Sequence, residues 1–261
     1  MMSIILFVFS GFCCGILSRL YGLGGGLVIN PTLLYILPLV GIPNDDVYQI
    51  TISTTLTIML VNSAINGRQS LKKENVPNDV ILHPILYILL GCLLGCIFII
   101  YINKNIGMIF FVIFVTIINL SNYMKSSKFP RVKSLAIRSV ICGVISSWVG
   151  GGSSLMMYSY LQREKSFSSR LSSIICNRYN VVIAIFCISV YHLLSGNIVI
   201  QHVFFNVYID AVIYILMGSI MGSYFATWLE SKPFMLYKNT FYKLILMVIN
   251  IAVIYKLATL Y

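Results

Sequence analysis

Long apolar stretches cut by short polar ones run the whole length of the chain. In the first half they fall at about 4–18, 27–41, 48–66, 79–102 and 105–122, here segments A to E. A basic linker follows at about 125–133, carrying Lys125, Lys128, Arg131 and Lys133. The second half repeats the plan: A′ about 134–149, B′ about 153–161, C′ about 171–195, D′ about 199–229 and E′ about 239–259. A helix needs about 20 residues, at 1.5 Å each, to cross a bilayer. Segments C, D, E, C′, D′ and E′ reach that length. A and B are about 15 residues each and B′ is shorter. They read either as half-helices meeting in a re-entrant hairpin or as short, tilted spans.

What separates A from B is glycine: Gly22, Gly24, Gly25 and Gly26, four in five positions. Each costs roughly 1 kcal/mol of helix propensity relative to Ala, so the run predicts an unwound turn. In lipid, backbone groups freed this way are tolerated only where protein buries them or water reaches them, so the turn should line a cavity. A matching interruption, Gly150, Gly151, Gly152, Ser153 and Ser154, separates A′ from B′. Broken helices at corresponding positions of two halves point to a transporter's binding site. The fold class is therefore an all-α polytopic membrane protein. It has two repeats of about five hydrophobic segments, each beginning with a glycine-broken helix. The chain is one transmembrane domain, 1–261, with repeat 1 at about 1–124 and repeat 2 at about 134–261.

Composition agrees. Of 261 residues, 59% are hydrophobic and 10% charged, against about 25% charged in soluble domains; mean hydropathy is +0.92. The net charge of +11 does not indicate nucleic acid, because the basic residues sit in short loops between apolar runs, the positive-inside pattern. The C–D loop carries Arg68, Lys72 and Lys73 and reads as cytoplasmic, while the B–C loop has Asp45 and Asp46 and no basic residue. In the second half the pattern flips. The B′–C′ loop carries Arg163, Lys165 and Arg170, and the C′–D′ loop has no charge. Equivalent loops thus face opposite sides, which requires an odd number of crossings per half and an inverted repeat. Both termini fall outside. The N-terminal apolar run lacks a basic leader region and reads as a retained first membrane segment. The seven cysteines lie within apolar runs and read as packing residues. Gly91 and Gly95 in D, and Gly218 and Gly222 in D′, form GxxxG pairs that let helices approach closely.

The glycine-rich stretch reads Gly11, Gly15, Gly22, Gly24, Gly25, Gly26, Pro31 and Leu33. It resembles the first hallmark of the sulfite exporter TauE/SafE family, also called the toluene sulfonate uptake permeases. The second hallmark is similar to Gly143, Ser147, Gly150, Gly152, Ser153 and Ser154, with three of its glycines replaced by serine. The family's small-hydroxyl pair resembles Thr54 and Thr55, with Ser172 and Ser173 in the second half. The resemblance implies a multi-pass permease of a bacterial-type inner membrane, moving small anions such as sulfur oxyanions, organosulfonates or other organic acids.

The residues themselves also favour an anion. Gly24–Gly26 and Gly150–Ser154 each lead into a helix N-terminus, whose free N–H groups and dipole attract negative charge. Thr54, Thr55, Ser172, Ser173, Ser153 and Ser154 add hydroxyl donors. Arg178, inside C′, reads in three ways: as an anion ligand, as an ion pair with Asp210 of D′, or as a side chain reaching the cytoplasmic surface. Asp210 is also a candidate for coupling. His83, His192 and His202 read as interfacial, and Arg19 and Arg138 as anchors at the cytoplasmic ends of A and A′. The expected function is a secondary transporter of a small anion by alternating access. An anion channel would have much the same sequence. An intramembrane enzyme lacks support, since no HExxH occurs and Asp210 has no acidic partner within the segments. The chain is expected to be no enzyme and to need no cofactor or metal. Its partners are the solute and the bilayer, and its oligomeric state is left open.

Overall fold

The computed structural model describes residues 2–22, 25–71, 78–101, 113, 134–150, 154–194, 200 and 202–230. Segment E except Ile113, segment E′, the linker at about 125–133, and Gly24, Gly151, Gly152 and Ser153 lie outside the described residues. The elements in order are α1 (Met2–Tyr21), α2 (Gly26–Leu39), α3 (Asn44–Leu71), α4 (Asn78–Tyr101), α5 (Leu135–Val149), α6 (Ser154–Arg163), α7 (Ser169–Leu194), β1 (Val203–Phe204), β2 (Val207–Tyr208) and α8 (Ile209–Glu230). Among the described residues, α1, α3, α4, α7 and α8 are long and apolar enough to cross a membrane, whereas α2 and α5 are shorter apolar helices.

Two expectations are corrected. Segment A is not a short helix: α1 runs for 20 residues. Ser18 and Arg19 end the apolar run, but they continue the helix, buried against neighbouring helices. Segment D′ does not begin as helix near 199, because residues 203–208 form an antiparallel hairpin pairing Val203 with Tyr208 and Phe204 with Val207. Its two turn residues, Phe205 and Asn206, have φ of 50° and 61°. Positive φ at both central positions suits the right-handed twist of a two-residue hairpin. The run VFFNVYI looks helical by apolar content alone, and the turn is what divides it.

The helices assemble by exchange between halves. α1 packs along α8, α4 along α5, and α3 along α7. Glycines set the first two contacts, in the same register. A Cβ at Gly11 would run into the Ile215 carbonyl, and one at Gly218 into that of Val8. Likewise, a Cβ at Gly91 would meet the Val140 carbonyl, and one at Gly143 that of Ile88. Gly15 on Ser219 and Gly95 on Val144 continue the two pairs one turn further on, so both are parallel. Such small-residue seams let backbones touch where lipid gives helices no hydrophobic reason to associate.

α3 lies at the centre. Its spanning stretch is 72% buried, against 39% for those of α4 and α8. It also carries buried polar residues, including Thr54, Thr55, Asn62, Ser63 and Asn66. α3 and α7 run antiparallel. Asn66 near the end of α3 and Asn177 near the start of α7 both reach Ser18, while Thr55 of α3 and Tyr191 of α7 both reach the end of α5. The least apolar of the spanning helices is therefore enclosed, and the apolar faces of α4 and α8, with Leu86, Leu94, Met221 and Tyr224 exposed, are left for lipid.

Candidate functional site

The first break begins where α1 stops. Gly22 turns at φ 65° and donates its N–H to Ser18 O at 2.9 Å. The last carbonyls of a helix have no partner within it, and in a membrane something else must satisfy them. Here α7 does. Ser173 Oγ donates to Arg19 O at 3.1 Å, Asn177 Nδ2 to Ser18 O at 3.5 Å, and Asn180 Nδ2 to Gly22 O at 2.9 Å. Positions 173, 177 and 180 share one face of a helix, so this polar stripe caps the broken end of α1.

The second break is held similarly. α5 ends at Gly150, φ 61°, whose N–H bonds to Ser146 O at 2.9 Å. Tyr191 Oη donates to Ser147 O at 3.1 Å, and Asn30 Nδ2 to Val149 O at 3.2 Å. Asn30 Oδ1 in turn accepts a hydrogen bond from Thr55 Oγ1. Asn30 thus ties α2 and α3 to the end of α5.

Each break rests on the third segment of the other half. Gly22 lies against Ser173 and Cys176 of α7, and Gly150 lies against Thr55 of α3. Thr55 and Ser173 are the second members of the two hydroxyl pairs. The breaks also touch each other, since Gly26, at the start of α2, packs on the backbone of Val149 and Gly150. Gly25, at φ 88°, forms the cap of α2 without a side-chain hydrogen bond, and the first N–H groups of α2 have no acceptor within the helix.

The structure brings together Gly22, Gly25, Gly26, Thr55, Gly150 and Ser173. Two of the hydroxyls already serve the fold, Thr55 through Asn30 and Ser173 through Arg19 O. Thr54 Oγ1 accepts the Tyr208 N–H at 3.0 Å. Ser172 Oγ is buried without a partner, as are Ser63 Oγ, Asn66 Oδ1 and Asn177 Oδ1. Each unpaired buried group costs roughly 1–3 kcal/mol. Ser154 opens α6. Gly24, Gly151, Gly152 and Ser153 lie outside the described residues.

Arg178 is half-buried on α7 and does not pair with Asp210. Asp210, in the first turn of α8, pairs with His202 Nδ1 at 3.2 Å, and both side chains are well exposed. Arg138 is no surface anchor. It is 7% exposed, bonds Glu164 at 2.8 Å and lies over the Tyr160 ring, and so clamps α5 to the end of α6. A buried guanidinium needs such a partner. Asn30, Asn66 and Tyr191 were missed by the sequence reading. The available signal was a lone polar side chain inside an apolar run.

Five helices among the described residues, long and apolar enough to cross a membrane and packed around two touching breaks, define a multi-pass membrane protein. The chain belongs to the sulfite exporter TauE/SafE family, whose model matches residues 7–257. It is 27% identical over 159 residues to a "Probable membrane transporter protein" of Haemophilus influenzae, covering 57% of this chain and 60% of that one. It is 26% identical over 153 residues to a "Probable membrane transporter protein" of Methanocaldococcus jannaschii (56% and 55%). It is 27% identical over 139 residues to the "Probable membrane transporter protein YunE" of Bacillus subtilis (51% and 49%). In these matches the chain spans about half the length of each relative. The family and these relatives are described as exporters or transporters, none as an enzyme. No solved structure matches the chain.

Proposed function

We propose that this chain is a secondary transporter that moves a small anion by alternating access. The solute class is a sulfur-containing oxyanion, an organosulfonate or a related organic acid. The family's description as sulfite exporters supports the sulfur class, and the relatives' description as membrane transporter proteins supports transport. One observation carries the reading: two glycine breaks from opposite halves meet at Gly26 and Gly150. There the N-terminus of α2 lies against the carbonyl end of α5, and α6 begins four residues past Gly150; the N-termini that open α2 and α6 are the ends that favour negative charge. The candidate ligands are the backbone amides at Gly24–Gly26 and Gly150–Ser154, the hydroxyls of Thr54, Thr55, Ser172 and Ser173, and Arg178. Gly22 supplies the turn.

The two halves are read as inverted repeats of one domain, in a bacterial-type inner membrane with both termini outside. The recurring register of α1 on α8 and of α5 on α4 supports this, as does the antiparallel course of α3 and α7. Export of an anion runs downhill on a negative-inside potential by about 2.3 kcal/mol per charge per 100 mV. Uptake needs a coupling ion.

The test is flux in proteoliposomes against sulfite, thiosulfate, sulfonates and small carboxylates, with and without a pH gradient. Saturable, protein-dependent flux of at least one of them is expected, with weaker apparent affinity in Arg178→Lys. Absence of any such flux overturns the reading, and flux that never saturates replaces it with a channel.

A further inference from the structure

The broken end of α1 also gathers oxygen atoms that the anion reading does not use. Asn66 of α3 and Asn177 of α7 converge on Ser18, through Ser18 Oγ at 3.0 Å and Ser18 O at 3.5 Å. Asn66 is 1% exposed, Asn177 2% and Ser18 fully buried. Both amides spend their nitrogens on Ser18, and both Oδ1 atoms remain without a partner. The orientation of Asn177 follows from its acceptor, because a carbonyl can take only the NH₂ end. Ser63, three positions before Asn66 and so on the same face of α3, holds a further unpartnered buried oxygen. The carbonyl end of a helix carries the negative pole of its dipole. Unwound carbonyls and helix C-termini are where broken-helix transporters coordinate small cations.

We propose that Asn66 and Asn177, astride Ser18, bind an alkali-metal cation, and that this ion is the coupling ion for the anion. Among the described residues the oxygens gathered here are neutral, which suits a monovalent ion, since calcium and magnesium sites generally include carboxylates. Arg19 and Arg178 follow directly in sequence, about 100° round their helices. Their repulsion makes the site a weak one, of the kind that releases its ion in each cycle. The coupling role rests on the transport reading, but occupancy of the site does not.

Occupancy is therefore measured on the full chain in detergent, without solute, by thermal unfolding in sodium, potassium or choline chloride at equal ionic strength. A saturable rise in Tm of roughly 2–4 °C is expected with sodium or potassium over choline; which of the two gives it identifies the ion. Asn66→Leu and Asn177→Leu should lose that rise. Asn66→Asp keeps the contact, with Ser18 Oγ now donating, and should lower the half-saturating concentration at least tenfold. The site is refuted if neither metal exceeds choline, if the rise survives both leucine variants, or if Asn66→Asp leaves half-saturation unchanged. Coupling is read separately, as anion flux with and without the metal gradient. Flux indifferent to the gradient refutes the coupling role, and absence of flux under every condition overturns the transport reading while leaving measured occupancy intact.

Discussion

Gly26→Ala tests the contact between the two breaks. Gly26 does not have a positive φ, so alanine is conformationally acceptable there, and backbone entropy favours it by roughly 0.5–1 kcal/mol. Packing opposes it. A Cβ would lie 2.8 Å from the Gly150 carbonyl carbon and closer still to the carbonyl oxygens of Val149 and Gly150. Those are backbone atoms, with Asn30 bonded to Val149 O, so the two helix ends must separate. Overpacking of this kind costs about 1–3 kcal/mol. A clash with backbone rather than a yielding side chain sits at the upper end of that range, about 3 kcal/mol, so the net loss is about 2–2.5 kcal/mol, which lowers Tm by roughly 4–10 °C in a chain of this size. Gly67→Ala is the control. Its Cβ would meet nothing nearer than Asn177 Cβ at 3.9 Å, so the substitution should be neutral or slightly stabilising. Thermal unfolding and anion flux should both fall in Gly26→Ala and be retained in Gly67→Ala. If Gly26→Ala matches wild type in both assays, the breaks do not meet as described and the argument built on their junction is wrong.

Asn180→Leu strips the cap from Gly22 O and should cost about 1–3 kcal/mol, seen as a lower Tm, whereas Asn180→Gln should recover part of it. Thr54→Val removes the acceptor of the Tyr208 N–H; a loss of about 1 kcal/mol and faster amide exchange at Tyr208 are expected. Asn206→Val forces a β-branched residue to a φ near 61° and should destabilise by about 1–2 kcal/mol, whereas Asn206→Gly is tolerated. Glu164→Gln breaks the ion pair with Arg138. Glu164 is about half exposed but Arg138 is buried, so losing the carboxylate should cost about 1–3 kcal/mol, moderated by the Tyr160 face that Arg138 keeps.

Much of this protein could be read from its residues one segment at a time. A bilayer demands long apolar helices, so the runs announced α4 and α7 nearly to their ends, whereas α3 extends four residues before and five beyond its apolar run. Four glycines in five positions cannot easily stay helical, so the break after Tyr21 was legible, as was its partner near Gly150. What the runs hid were the places where polarity and helix do not coincide. Ser18 and Arg19 look like an ending yet lie inside α1 because α3 and α7 receive them. Phe205 and Asn206 look like helix yet form a turn.

Which helices touch was decided only in three dimensions. Lipid tails are as apolar as leucine, so hydrophobicity cannot choose a helix's partner. Close backbone fit does, and fit belongs to two surfaces together. The glycines of α1 and α8 could be seen as small, but not as each packing on the other helix's backbone. The same holds at the candidate site. Thr55 and Ser173 were visible as members of two separate hydroxyl pairs, but their places under the opposite half's break were not. Asn66 and Asn177, 111 positions apart in the sequence, share Ser18 because α1 ends between α3 and α7, an arrangement that exists only once the helices have packed.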